Sequence, residues 1–280
     1  MSDEGGDGEA DREQAYIGPS AEAFPPSSAV SIAGVPIDAL DRREAAERIL
    51  EAAATSTPTT VHLCNAYVVA LASKDRRYAD LLARGDLNLA HGAPVARFAR
   101  RAGLDPSLRP SGVELVEEVM ERGLARGTRH YLHGSDEATV AALAEALRDR
   151  FTGVKIVAAE SPPFGEVTDQ QLDDLAGRLQ ATLADVVWIG LGTPKQDDVV
   201  DRLRSRFDGP AVPVGAAFDF IAGSKPRAPR LLRRLGLEWA HRLATEPRRL
   251  WRRYLWGNLR FLWVRARTGR VLHRHGQADA

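Results

Sequence analysis

The sequence predicts an α/β protein: a Rossmann-like, three-layer structure with a mostly parallel sheet, followed by a helical, Arg-rich C-terminal appendage. From about Val30 onwards, short β-rich runs alternate with longer helical runs, and this alternation is typical of parallel sheets covered by helices. After about Arg227 the pattern is helical throughout, without a further strand. The chain has 280 residues, 44% of them hydrophobic, which is enough to bury a substantial core.

The predicted elements follow in order along the chain. Residues 1–28 are rich in Gly, Asp, Glu, Ser and Pro and offer little to bury, so we expect a disordered acidic leader. Residues 29–224 form the predicted core, 225–270 a helical basic appendage, and 271–280 a disordered tail. The β-rich runs predict strands over Thr59–Cys64, Asp86–Ala90, His130–His133, Val154–Ala158, Asp185–Leu191 and Ala211–Gly215. The longer runs predict helices over Arg42–Ala54, Ala66–Arg84, Pro94–Ala102, Val113–Arg126, Glu137–Arg150, Gln170–Leu183 and Lys195–Arg206.

Composition excludes several classes of protein. A single cysteine, Cys64, excludes a disulfide framework and a cysteine-rich zinc module. No uninterrupted apolar run approaches the roughly 20 residues of a membrane-spanning helix, and the first residues lack the basic and then apolar pattern of a signal peptide. With 38 basic and 38 acidic residues the net charge is zero, so global charge favours neither nucleic acid nor membrane. We expect a cytoplasmic protein, soluble or peripheral.

The charge is nevertheless distributed unevenly. Residues 225–274 hold fifteen cationic and two acidic side chains, a net +13, together with four of the five tryptophans. Such a segment favours a polyanionic partner, although a solvated Arg-rich helix would have the same composition. Apolar residues fall at helical spacing among these arginines, namely Trp251, Leu255, Leu259 and Leu262. A helix that lies in a lipid headgroup layer has this pattern; alternatively the stripe packs on the protein's own core, or the arginines meet nucleic acid.

Ligands of open α/β sheets usually bind beyond the carboxyl ends of the strands, so the residues that follow the predicted strands are candidates for a site. The run Gly190-Leu-Gly-Thr-Pro-Lys-Gln196 follows a strand and opens a helix. Gly190 and Gly192 would let a ligand approach the backbone, while Thr193 can cap a helix whose free N–H groups attract phosphate. Gln196 adds an amide for a base or a sugar. The alternative is an ordinary strand-to-helix turn. The run matches neither the dinucleotide-binding motif nor the P-loop motif.

Four further residues are candidates. Asn65 ends one strand and begins a helix, where an N-cap role is the usual explanation. His91 also lies between a strand and a helix; a lone histidine is often structural, but a neutral imidazole there can remove a hydroxyl proton. Arg109 could pair with a phosphate or carboxylate, and Asp219 follows the last predicted strand. Because the histidines are scattered and no Asp-x-Asp triplet follows a strand, we predict no metal site.

These motifs occur in a characteristic order. They are Asn65, Arg109 with Ser-Gly-Val-Glu-Leu beyond it, Ile-Gly-Leu-Gly-Thr-Pro-Lys-Gln196, Gly215-Ala-Ala-Phe-Asp219, Ala222-Gly223, Arg227-Ala-Pro229, Leu237-Glu-Trp-Ala-His-Arg-Leu243 and Glu246-Pro-Arg-Arg249. With these motifs, over roughly Val30 to Phe261, the chain resembles the WecG/TagA/CpsF family of bacterial glycosyltransferases. So many motifs at matching intervals make a chance match improbable.

The resemblance implies a hexosyltransferase that moves a sugar (N-acetylmannosamine-like, uronic acid or glucose) from a UDP-sugar to a polyprenyl-diphosphate-linked saccharide at the inner leaflet of the plasma membrane. It implies a role in cell-envelope or exopolysaccharide biosynthesis, inversion at the anomeric carbon, and no metal or other cofactor. Implied substrate-binding residues are Arg109, Gly190, Gly192, Thr193, Gln196 and Asp219. Asn65 would touch the donor or acceptor sugar. The departing UDP would be stabilised by appendage arginines, namely Arg242, Arg249 and Arg252.

Two positions depart from the family pattern. The family's acidic base lies in an Asp-Gly pair, where this chain has His91, and Leu63 replaces a common threonine two residues before Asn65. Histidine is chemically competent as a base, so sugar transfer is the leading hypothesis. One alternative is a catalytically impaired paralogue that binds nucleotide-sugar or lipid as an assembly factor. Another is a nucleic-acid-binding protein, but the core lacks a recognised reading module and we expect no nucleic acid partner. The apolar stripes would also allow a homo-oligomer.

Overall fold

The computed structural model describes residues 29–105 and 109–268. The predicted leader and tail lie outside the described residues, as do several side chains of the C-terminal helices. The strands are β1 (Ala29–Ile32), β2 (Val35–Asp38), β3 (Thr59–Cys64), β4 (Leu87–Ala90), β5 (Arg129–Gly134), β6 (Lys155–Glu160), β7 (Val186–Gly190) and β8 (Pro210–Pro213). The α-helices are α1 (Arg42–Ala54), α2 (Ala66–Ala72), α3 (Arg76–Arg84), α4 (Ala93–Ala99), α5 (Gly112–Gly123), α6 (Glu137–Arg150), α7 (Asp169–Ala181), α8 (Lys195–Leu203), α9 (Ala217–Ile221), α10 (Arg230–Arg234), α11 (Glu238–Thr245) and α12 (Pro247–Thr268).

The strands form one sheet in the order β1-β2-β4-β3-β8-β7-β5-β6. The pair β1–β2 is an antiparallel hairpin, and the other neighbouring strands run parallel. The hairpin turns at Ala33 and Gly34, whose φ angles of 56° and 82° lie in the left-handed region. No strand was predicted before Thr59. The second strand contains Pro36 and Asp38, residue types that are rare in strands, so the hairpin lacks a clear β-rich pattern.

Helices cover both faces of the sheet, so the structure has the three layers that the sequence predicts. On one face α1, α5 and α6 bury a cluster that includes Trp188 of β7. The other face holds two clusters, one with α2, α3 and α4 and one with α7 and α8, and the second includes Val187 and Ile189 of β7. Successive side chains of a strand point to opposite faces, and β7 therefore contributes to both halves of the core. The Rossmann-like α/β fold class is confirmed.

The predicted strands are all present, each within two residues of its expected bounds. The single helix predicted over Ala66–Arg84 is wrong, because the chain forms α2 and α3 instead. Asp75 separates them: its carboxylate accepts a hydrogen bond from the Tyr78 backbone N–H at 3.2 Å and caps α3. The helices α4 and α5 end three residues earlier than predicted, each continuing as a 3₁₀ turn. The short helix α9 was not predicted.

The helices α10, α11 and α12 form the appendage, which is helical as predicted. The helix α12 lies against α2 and β1. Its buried side chains include Leu250, Phe261 and Val264. The stripe singled out in the sequence is a different face of α12, since its exposed members are Trp251, Leu259 and Leu262; the side chain of Leu255 lies outside the description. These three side chains are about half exposed, so they are not part of the buried core. None of the described helices is both long and apolar enough to cross a bilayer.

Candidate active site

A cavity of about 620 Å³ opens where the core meets the appendage. Its walls come from the segments beyond the carboxyl ends of β3 and β4, from the start of α5, and from α10 to α12. A smaller cavity of about 90 Å³ shares some of these walls and extends to the loop before α8. The residues that line both cavities are Asn65, His91, Ser111, Glu238 and Arg242. The sheet and the appendage thus build one site together.

Asn65 is both a structural cap and a cavity residue. Its side-chain oxygen accepts hydrogen bonds from the backbone N–H groups of Tyr67 at 2.9 Å and Val68 at 3.1 Å, and so caps α2. Because the oxygen serves the helix, the amide nitrogen is the part of this side chain that can donate to a ligand. The two interpretations of Asn65 are therefore compatible.

His91 lies between β4 and α4, and its ring nitrogen Nδ1 is 3.1 Å from the carbonyl oxygen of Pro110. Since a carbonyl oxygen only accepts, Nδ1 carries the proton and the lone pair of the neutral ring lies on Nε2. Burial lowers the pKa of His91, the positive charges of Arg109 and Arg242 lower it further, and the Pro110 carbonyl and Glu238 oppose the shift. The ring is therefore neutral near pH 7 and has a nitrogen able to accept a proton.

Arginines from the core and the appendage meet at the larger cavity. Arg242 of α11 places its guanidinium over the Phe220 ring, 5.2 Å from the ring centroid, and its buried Nε has no hydrogen-bond partner among the described residues. Arg109 donates from Nη2 to the backbone carbonyl of Arg233 at 3.1 Å, which joins the loop before α5 to α10. A planar guanidinium suits diphosphate oxygens, so this wall is fitted to an anionic ligand.

A glutamate that lines the larger cavity is paired with two arginines. Glu114 of α5 accepts from Arg227 at 3.1 Å and from Arg233 at 3.4 Å. This ion-pair network attaches the segment before α10 to the core. Two of the appendage's cations thus serve its attachment, while Arg242 is stacked on an aromatic ring beside the cavity.

The loop before α8 corrects one expectation about Thr193. Its side chain does not cap α8: the residue before the helix is Pro194, and no side-chain cap is present. Instead Gln196 organises the loop, because its Oε1 accepts from the Gly192 N–H at 3.0 Å and its Nε2 donates to the Thr193 hydroxyl at 3.4 Å. Gly192, Thr193 and Gln196 all line the smaller cavity. Gly192, with a φ of 78° and no atom near the position of a Cβ, leaves the backbone open to a ligand.

The remaining predicted residues lie elsewhere. Gly190 lines neither cavity, and a Cβ there would clash with the Phe218 ring, so close packing accounts for this glycine. Asp219 also lines neither cavity. Its carboxylate forms an ion pair with Lys225 at 2.6 Å. Arg249 and Arg252 fall within α12, but their side chains are outside the description. The predicted residues that the structure brings together are Asn65, His91, Arg109, Gly192, Thr193, Gln196 and Arg242.

Several lining residues were missed from the sequence. They include Tyr67, Ser111, Glu114, Phe220, Arg233, Glu238, Trp239 and Asn258. Many of them lie within four residues of a position that was singled out, as Glu238 does beside Arg242 on one helix. In the described ranges, no three His, Cys, Asp or Glu side chains form a group able to hold a metal ion.

Comparison with known proteins gives the family. The family model described as "Glycosyl transferase WecG/TagA/CpsF family" matches residues 30–275 of this chain. The chain belongs to this family. The WecG/TagA/CpsF match therefore spans the sheet, both cavities and the appendage, and confirms the resemblance drawn from the ordered motifs.

A curated relative is similar to this member of the WecG/TagA/CpsF family. It is an N-acetylglucosaminyldiphosphoundecaprenol N-acetyl-beta-D-mannosaminyltransferase of Bacillus spizizenii, 30% identical over 185 residues. The alignment covers 66% of this chain and 70% of the relative. Family and relative are both glycosyltransferases, and the chain is therefore assigned to that class of enzymes.

Proposed function

We propose that this chain transfers a hexose-type sugar from a UDP-sugar to a polyprenyl-diphosphate-linked saccharide during the synthesis of a cell-envelope or exocellular polysaccharide. One observation carries the proposal. His91, beyond β4, and Arg242, on the appendage, line the same pair of cavities, and the neutral His91 ring has a nitrogen able to accept a proton. Transfer from a nucleotide-sugar needs these two functions: a base for the attacking hydroxyl and positive charge for the leaving diphosphate.

The charge on the leaving group is met by arginine in this proposal. When the bond between the sugar and the diphosphate breaks, negative charge grows on the bridging oxygen, and a fixed guanidinium stabilises it. Arg109 and Arg242 border the cavity, and Arg249 and Arg252 are proposed to add to them from α12. A divalent cation would then not be needed for turnover.

The attacking group is a hydroxyl of the lipid-linked acceptor. Nε2 of His91 takes its proton while the oxygen attacks the anomeric carbon from the side opposite to the diphosphate, and UDP leaves with the bonding electron pair. A single displacement of this kind inverts the anomeric configuration. The loop of Gly192, Thr193 and Gln196, in the smaller cavity, is proposed to hold part of the nucleotide.

We propose that the reaction takes place at the cytoplasmic face of the plasma membrane, because its acceptor would be lipid-linked. Exposed apolar side chains of α12 form one face of the helix, namely Trp256, Leu259, Leu262 and Trp263. An apolar face on an Arg-rich helix suits the headgroup layer of an anionic leaflet, where each cation near the surface adds about 1 kcal/mol. We propose peripheral, reversible attachment through this face, which brings the larger cavity close to the lipid-linked saccharide.

The activity named for the relative gives the first substrates to test. It transfers N-acetyl-β-D-mannosamine to N-acetylglucosaminyl-diphosphoundecaprenol. The full-length protein is incubated with a short-chain polyprenyl-diphosphate N-acetylglucosamine and with UDP-N-acetylmannosamine, its uronic acid or UDP-glucose, and the release of UDP is measured. We expect release that requires the lipid acceptor and that is unchanged by EDTA. Release without dependence on the acceptor, or complete loss in EDTA, would contradict the proposal.

A second candidate rests on His91, which replaces the family's acidic base. In that case the chain would bind nucleotide-sugar or lipid and serve as a non-catalytic assembly factor. Calorimetry with each UDP-sugar, together with the UDP-release assay, distinguishes the two candidates. A non-catalytic protein binds a donor but releases no UDP with any acceptor.

A further inference from the structure

Glu238 stands at the centre of the site, although no sequence motif assigned it a function. It occupies the first turn of α11 and lines both cavities together with His91 and Arg242. Glu238 and Arg242 are four residues apart, so they lie on the same side of the helix. That side of α11 faces His91 across the cavity.

The carboxylate of Glu238 differs from the other acids near the appendage. Glu114 is paired with Arg227 and Arg233, and Asp219 is paired with Lys225. Glu238 makes no hydrogen bond or ion pair with any residue in the described ranges. Arg242, its neighbour on the next turn, packs over Phe220. A partly buried carboxylate without a partner is costly, and such groups are often kept for function.

The group that Glu238 does interact with is His91, through its charge. The charged and polar groups around that imidazole are the Pro110 carbonyl, Arg109, Arg242 and Glu238. The two arginines oppose a positive charge on the ring, and Glu238 is the carboxylate that favours it. A base that takes a proton during the reaction becomes an imidazolium, and in this site it would lie near two guanidinium groups. A facing carboxylate reduces that cost.

We propose that Glu238 is a positioning residue for sugar transfer, which faces His91 across the site and stabilises the imidazolium formed when Nε2 takes the acceptor's proton. The inference rests on the proposed function. The acceptor oxygen forms its bond to the anomeric carbon, the bond from that carbon to the diphosphate breaks, and UDP carries away the electron pair. The proton stays on His91 opposite Glu238 and passes to water after the products leave.

The experiment compares Glu238→Gln, Glu238→Asp and the double variant Glu238→Gln/His91→Ala in the UDP-release assay between pH 5 and 9. Glu145→Gln, an exposed glutamate of α6, is the matched control for loss of one negative charge. We expect Glu238→Gln to lower kcat by about 10- to 100-fold, less than the roughly 100- to 10,000-fold that the base itself contributes, with KM changed less than about threefold. The acidic limb of its pH profile should move to lower pH, because the carboxylate that favours the protonated ring is gone.

Two further readouts separate this role from a structural one. Glu238→Asp should recover part of kcat, and Glu238→Gln should cause no further loss once His91 is alanine. The melting temperature of Glu238→Gln should equal or exceed that of the wild type, since no partner loses its bond. Provided that the wild type is active, the inference is overturned if Glu238→Gln has a normal kcat and pH profile, or if this variant changes KM alone. It is also overturned if Glu238→Gln lowers kcat as much in the His91→Ala background as in the wild type. A wild type inactive with every donor and acceptor would overturn the proposed function as well.

Discussion

At the scale of single residues, the proposed chemistry depends most on one histidine. The backbone carbonyl of Pro110 fixes which nitrogen of His91 carries the proton, and burial next to two arginines keeps the ring neutral. Both effects arise from residues distant in sequence, so they could not be read from the run Leu89-Ala-His-Gly-Ala. In the structure His91 thus has the protonation state that the proposed base requires.

Substitution of His91 tests this directly. His91→Ala should lower kcat about a hundredfold or more, because the acceptor hydroxyl loses its base. A base works in its neutral form, and the pKa of His91 is lowered, so wild-type activity should persist as the pH falls and decline only below about 6.5. Steady-state UDP release across this range provides the measurement. A His91→Ala variant with near-normal turnover would refute the role.

At the scale of elements, the position of α8 depends on a buried polar cluster. Asp197, in its first turn, accepts from the Tyr78 hydroxyl of α3 at 2.9 Å and from Nδ1 of His62 in β3 at 3.1 Å. These bonds join α8 to a strand and a second helix directly beside Gln196, which organises the cavity loop. Burial and the adjacent Asp197 charge raise the pKa of Tyr78 well above its usual range, so its hydroxyl remains a donor.

Removal of this carboxylate should therefore destabilise the fold. Asp197→Ala leaves two buried donors without a partner, at about 1–3 kcal/mol each, and should lower the free energy of unfolding by about 2–5 kcal/mol. The neighbouring Asp198→Ala is the matched control, because that exposed carboxylate pairs with Arg202 on the surface and should cost less than about 1 kcal/mol. Urea unfolding followed by circular dichroism measures both. Equal stabilities of the two variants would contradict the anchoring role.

The helix α12 makes the second prediction at this scale. Its buried face packs on the core, and its opposite face carries exposed Trp256 and Leu259. The double variant Trp256→Ser/Leu259→Ser should bind vesicles of anionic phospholipid at least tenfold more weakly, because it loses much of the apolar area that enters the headgroup layer. Phe164→Ser is the control, since Phe164 is fully exposed but lies outside the appendage. Co-sedimentation is the assay, and equal binding by both variants would show that this face does not contact lipid.

At the scale of the whole molecule, the sequence predicts the layers well and the site only in part. Apolar runs are local signals, so they predict six strands and the helical tail. The hairpin was missed because β2 contains Pro36 and Asp38, which are rare residue types in strands. The break before α3 was missed because a single capping residue, Asp75, interrupts an otherwise helical pattern. The rule that ligands bind beyond strand ends finds Asn65 and His91. The same rule also selects Asp219, but in the structure this carboxylate forms an ion pair with Lys225. Glu238 is brought to His91 by tertiary packing alone, which no local pattern reports.

In the architecture as a whole, the appendage is part of the candidate active site. The larger cavity has one wall beyond the strands and another on α10, α11 and α12, so neither part encloses it without the other. A network of ion pairs from Arg227 and Arg233 to Glu114 holds the two parts together. The central claim is therefore that a guanidinium from the appendage, rather than a divalent ion, stabilises the departing diphosphate.

Acceptor-dependent UDP release by Arg242→Ala, measured with and without EDTA, tests that claim most directly. Arg76→Ala, which removes an exposed arginine from α3, serves as the control, and melting curves confirm that each variant is folded. We predict a loss of kcat of about a hundredfold or more in Arg242→Ala, within the range for removal of one charge-stabilising group, and no effect of EDTA on the wild type. A folded Arg242→Ala variant with wild-type turnover, or a wild type inactivated by EDTA, would contradict the account.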